Sequence, residues 1–228
     1  MPQSTNKQDY PPSSLRSRLM PFVIYLVLFH GAWTGWVLWG YPHLRALGEA
    51  TLIYAAVNVT LRLLLWVAPV FLYLRLIDRR NAIDFLKLKQ NWQRGLVVGI
   101  VLSLLNLLGT MARFGIPHLR PGSITWNSIL GTSILIGFVE EIPYRGFIWQ
   151  KLSEYLSFWP ATLLASLLFL GIHLPGWISL HLLRTGNVIS VFVFGLVLTI
   201  VFRLVNSLWS VIITHSTNDF FAVVLFHL

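Results

Sequence analysis

Long uninterrupted apolar runs, separated by short polar turns, fill the chain from Pro21 onward. They cover about 21–40, 51–77, 95–112, 124–139, 159–180, 187–204 and 207–228. Most are close to the roughly 20 residues that an α-helix needs to cross a bilayer. They are continuous rather than alternating, so they read as helices and not as barrel strands. The pattern predicts an all-α fold, a polytopic transmembrane bundle of about seven spanning helices. A single domain over 21–228 accounts for all of it. Residues 1–20 are polar and rich in Pro, Ser and Gln, and read as a disordered tail. No small-residue cleavage site follows a short apolar core, so the first run reads as a retained helix. The connection 78–94 is long and polar, with Phe85, Leu86, Leu88 and Trp92 interleaved among its charges. It reads as an amphipathic segment at the membrane surface.

Composition narrows the class. Of 228 residues, 56% are hydrophobic and 11% charged. That is too few charges to cover a water-soluble surface, where about 25% is usual. A soluble globule and a nucleic-acid-binding domain are excluded, although the net charge is +9. The excess of Lys and Arg sits at segment ends, as in a chain oriented by its basic loops. With the N-terminus inside, inner segments hold eleven of these residues, from Lys7 and Arg16 to Lys151 and Arg203. Outer segments hold Arg45, Arg113, Arg120 and Arg184. This predicts a multi-pass protein of the cell membrane with a cytoplasmic N-terminus. Cysteine is absent, which excludes a thiol nucleophile and thiolate metal ligands.

The chemistry lies in the ionisable residues inside the runs, since a charge at bilayer depth costs several kcal/mol. They are Arg62, Glu140, Glu141, Arg145, His173, His215 and Asp219. Glu140 and Glu141 are adjacent, so they point about 100° apart on a helix and need not serve one site. Arg145 follows Glu141 by four residues on the same face and is its natural partner. Glu140 is then left to face a cavity, where an unpaired carboxylate is suited to be a general base. Pro143 removes a backbone bond and predicts a kink or break. An ion pair that only marks a helix end is the competing reading for this cluster. His215 and Asp219 are also four apart, and a hydrogen-bonded pair that locks packing is their competing reading. His173 alone reads more simply as a structural histidine. Arg62 could snorkel to an interface, meet a lipid phosphate or pair with an acid.

Depth arithmetic tests whether these residues share a level. Turns are expected near 157–160, 185–187 and 206. Glu140 precedes the first turn, and His173 follows it, by similar lengths, about 25 Å of helix each. Continuing through the two later turns leaves His215 offset from His173 by only ~5 Å. The three can therefore converge in depth, although lateral adjacency does not follow.

Three segments carry a resemblance: Glu140-Glu141-Ile142-Pro143-Tyr144-Arg145, Phe169-Leu170-Gly171-Ile172-His173, and His215-Ser216-Thr217-Asn218-Asp219. In this order, over about 120–228, they resemble the CAAX protease and bacteriocin-processing family. Its members are glutamic-type intramembrane peptidases related to the Ras-converting prenyl-protein endopeptidase. The resemblance implies that Glu140, assisted by His173, activates water, and that His215 with the residue four after it stabilises an oxyanion. Glu141, Arg145 and Phe169 would support the site. The last motif position is Asp219, where some members have Asn. An ionised Asp cannot donate to an oxyanion. So either Asp219 is protonated, or it orients His215, or Asn218 contributes.

The expected activity is hydrolysis of a peptide bond in a membrane-associated or lipidated peptide or protein, without metal or other cofactor. Expected partners are membrane lipid and that substrate, and no nucleic acid. One alternative is a zinc-dependent version with Glu140, His173 and His215 as ligands, although no His-Glu-x-x-His segment is present. Another is a bacteriocin self-immunity protein that binds rather than cleaves. A proton-relaying transporter is the third, against which no internal repeat is visible.

Overall fold

The computed structural model describes residues 12–117, 122 and 124–226, with the backbone alone for 12–18. Residues 1–11, Lys7 among them, and Arg120 lie outside the described residues. Among the described residues the chain is helical and contains no strand. Six helices are long and apolar enough to cross a membrane. These are α1 (Leu19–Arg45), α2 (Leu52–Leu76), α3 (Trp92–Phe114), α5 (Phe158–Ser179), α6 (Thr185–Val205) and α7 (Leu208–Phe226). The seventh expected span is α4, which runs through Asn127–Ile134, Ile136–Glu141, Ile142–Trp149 and Gln150–Leu152. It carries the paired glutamates and is enclosed by the others. Every residue from Val139 to Trp149 is buried.

The outward faces are apolar. On α3 the exposed residues include Val97, Ile100, Val101, Leu104, Leu105 and Leu108. A face of this kind suits hydrocarbon rather than water. Inside, aromatic rings cement α1 and α2 to α4. The Tyr25 and Tyr73 rings meet the edge of Phe147 at 4.9 and 5.0 Å, and Trp66 meets Phe29 at 5.4 Å.

Where helices approach most closely, small residues make it possible. A Cβ on Gly99 would lie 2.8 Å from Ile213 Cβ, and one on Gly95 would lie 2.9 Å from Ser207 Cβ. This glycine pair, four residues apart, lets α3 lie directly on α7. Gly137 does the same for α4, since a Cβ there would collide with the Ile212 carbonyl and approach the Ser216 amide at 2.9 Å.

Three expectations change. The first helix starts at Pro12, inside the stretch expected to be disordered tail. Proline is tolerated in a first turn because its missing N–H has no intrahelical partner there. Pro143 does not break α4. The helix widens to a π-helical winding over Ile142–Trp149 and continues, which absorbs the missing donor without ending the rod. The run 159–180 is not one regular helix. It is α-helical over Phe158–Gly171 and again over Leu174–Ser179, with His173 at the joint and Pro175 in the first turn of the second piece.

The turns fall where the depth arithmetic needs them. The helical segments begin at Phe158, Thr185 and Leu208, and Asn206 closes α6 in a left-handed conformation at φ 56°. The 78–94 connection is docked rather than loose. Leu86 is fully buried, Trp209 Nε1 donates to the Leu88 carbonyl at 2.8 Å, and Gln150 Nε2 donates to the Phe85 carbonyl at 2.7 Å. Buried Lys151 pairs with Asp78 at 3.1 Å and Glu154 at 2.8 Å, and Arg80 also pairs with Glu154.

Candidate active site

α4 supplies the two carboxylates. Glu141 is fully buried, and its Oε1 accepts from Arg145 Nη1 at 2.7 Å, one turn along. Arg145 Nη2 donates to the Gly195 carbonyl on α6 at 3.1 Å, and the Phe169 ring covers the guanidinium at 4.3 Å. The pair expected from spacing is present, and it is tied to two further helices. A buried charge needs such partners.

His215 on α7 completes this cluster. Its Nδ1–H donates to Glu141 Oε1 at 2.6 Å. The carboxylate can only accept in that bond, so the imidazole is fixed with Nε2 turned the other way. Nε2 lies 3.8 Å from Glu140 Oε2 and 3.7 Å from Asp219 Oδ2. Glu141 is therefore the residue that orients His215 by a hydrogen bond. Asp219 stands at ion-pair range on the opposite side.

Glu140 is 7% exposed, and its Oε2 has no hydrogen-bond partner. A carboxylate oxygen of this kind is available to a proton or a water. His173, at the joint in α5, donates from Nδ1 to the Phe169 carbonyl at 2.9 Å, which leaves the Nε2 lone pair free. The Phe169 ring lies 5.0 Å from the His173 ring and 5.9 Å from the His215 ring. His173, His215 and Arg145 thus meet around one phenylalanine.

A cavity of about 610 Å³ opens above this floor. His173, His215, Asn218 and Asp219 line it, along with Phe194, Asn106 and Arg113. Glu140 is not part of the lining. It lies next to the lining residue His215, with Oε2 3.8 Å from His215 Nε2. Asn218 is engaged on both sides. Its amide donates to Asp219 at 3.0 Å, and its carbonyl oxygen accepts from Asn106 at 3.1 Å. Asn218 thus holds Asp219 in place.

Sequence reasoning missed two lining residues and the surroundings of a third residue, Arg62. Arg62 was singled out as a cation inside a span, but its neighbours were not. It donates to the Gly131 carbonyl at 3.4 Å, lies over the Trp33 ring at 5.7 Å, and leaves its buried Nε without a partner. Asn106 and Phe194 gave no local signal, because an isolated polar or aromatic residue in an apolar run is common.

Among the described residues, no group of three or more His, Cys, Asp or Glu is arranged to hold a metal ion. Glu140, His173 and His215, the alternative zinc ligands, do not form such a group. The arrangement that is present consists of a buried carboxylate, two imidazoles each anchored through Nδ1, and a cavity beside them. Amide hydrolysis requires groups of this kind.

Residues 122–221 match the family model described as Rce1-like: Type II CAAX prenyl endopeptidase Rce1-like. Among curated proteins and solved structures nothing matches the chain. The matched segment includes α4, α5 and α6 and runs into α7, so it holds every residue of the three motifs. Residues 122–221 of this multi-pass membrane chain are therefore similar to the Rce1-like family of type II CAAX prenyl endopeptidases.

Proposed function

We propose that the protein is a glutamic-type, metal-independent endopeptidase that cleaves a membrane-associated or lipidated peptide or protein. The observation that carries this reading is the unpartnered Glu140 carboxylate, 3.8 Å from an imidazole that Glu141 holds in a fixed orientation. Glu140 takes the proton of a water, assisted by the free Nε2 of His173, and the water oxygen attacks the scissile carbonyl. With Nδ1–H bonded to Glu141, His215 acts as an imidazolium and presents Nε2–H to the oxyanion of the tetrahedral intermediate. Asp219 acts through His215, holding that donor in place from 3.7 Å. As the intermediate collapses, the proton on Glu140 passes to the leaving amine.

Similarity of residues 122–221 to the Rce1-like endopeptidases supports a peptide bond as the target. The cavity of about 610 Å³ leaves room for a peptide segment. The test compares peptide and membrane-protein termini by mass spectrometry in cells expressing wild type or Glu140→Ala. New termini that depend on Glu140 support cleavage. Identical termini alongside an intact Glu140-independent phenotype would make the protein a binder instead.

A further inference from the structure

The two ends of the bundle differ in charge, and the cavity belongs to only one of them. One end is formed where α2 stops, α3 and α7 start, and α4 and α6 stop. It carries Arg75, Arg79, Arg80, Lys87, Lys89 and Arg94, with Lys151 and Arg203 alongside. The other end, where α1 and α3 stop and α6 starts, carries Arg45, Arg113 and Arg184 among the described residues. Basic residues in short loops are retained on the cytoplasmic side of a membrane, and acidic ones contribute little to that choice. Eight against three is a clear bias.

The rim of the cavity lies at the poorly charged end. Arg113 and Phe114 are the last residues of α3, Asn187 and Ser190 lie in the first turns of α6, and all four are exposed. His173, His215 and Asp219 lie deeper, on its floor. None of the residues at the basic end lines it.

We infer that the catalytic cavity opens on the side of the membrane away from the cytoplasm, and that its substrate is a peptide or membrane-anchored segment presented at that outer face. The substrate half of this inference rests on the peptidase reading. The position of the mouth does not. An outward mouth excludes a substrate whose scissile bond stays on the cytoplasmic side.

The absence of cysteine makes the test clean, because any single introduced thiol is the only one. Asn187→Cys and Ser190→Cys mark the rim, and Lys89→Cys marks the basic end. Intact cells expressing each variant are treated with a membrane-impermeant maleimide, and a second sample is treated after permeabilisation. The expected result is labelling of both rim thiols in intact cells, with Lys89→Cys labelled only after permeabilisation. Labelling of Lys89→Cys in intact cells, with both rim thiols protected until permeabilisation, overturns the inference. If Glu140→Gln is inactive in that case, the peptidase reading stands and only the orientation falls. If the rim is outward but Glu140→Gln is fully active, the orientation stands and the catalytic reading falls.

Discussion

The division of labour between Glu140 and Glu141 is the central residue-scale feature. Adjacent on one helix, they point to different neighbours. Glu141 is neutralised by Arg145 and bonded to His215, whereas Glu140 has an oxygen without a partner. Breaking the first arrangement is expected to damage the fold. Arg145→Met should cost about 3–5 kcal/mol, because it leaves Glu141 buried and under-compensated. Thermal unfolding in detergent would show this as a large drop in midpoint. At the fourth position of the last motif, Asp219→Asn should keep the rate within about tenfold, since an amide oxygen still accepts from Asn218 and an amide N–H is itself an oxyanion donor. His215→Ala should lose about 10²–10³-fold in the same peptidase assay. The Glu141–Arg145 pair and the His215–Asp219 face were legible from i, i+4 spacing alone. The bond from His215 to Glu141 was not, because spacing fixes positions along one helix and says nothing about the rotation of its neighbour.

That rotation is settled between helices. The His215–Glu141 bond of 2.6 Å requires α4 and α7 to lie nearly backbone to backbone, which Gly137 permits. Gly137→Ala should therefore lower stability by about 1–3 kcal/mol and reduce peptidase rate as well, since an added Cβ meets the Ile212 carbonyl. Gly109→Ala on the lipid-facing α3 is the control. Nothing lies within 4 Å of its added Cβ, and the change should be neutral or stabilising by about 0.5–1 kcal/mol. Denaturation in detergent and specific activity together separate the two cases. Spans and turns were readable from the apolar pattern because hydrocarbon thickness fixes helix length. The break at His173 and the π-helical passage after Pro143 were not. Both depend on which backbone groups neighbouring helices can satisfy, and a single segment does not contain that information. The early start of α1 at Pro12 escaped notice because the composition of that stretch is polar.

At the scale of the whole molecule, charge, depth and cavity fit one account. An apolar bundle encloses a helix too polar to face lipid, and α5, α6 and α7 bring aromatic, imidazole and carboxylate groups to its glutamates. Helix lengths predict equal depth for Glu140, His173 and His215; the structure brings His173 and His215 to the Phe169 ring and Glu140 to within 3.8 Å of His215. Because these donors form no metal-holding group, a chelator should leave the rate of the purified protein unchanged. A loss restored by added zinc would return them to the role of ligands. The most direct measurement of the central claim is single-turnover hydrolysis of a cleavable peptide by purified Glu140→Gln protein, with wild-type thermal stability verified in parallel. The account predicts a rate at least about 10²-fold below wild type with the fold intact. A Glu140→Gln protein that cleaves at the wild-type rate would contradict it.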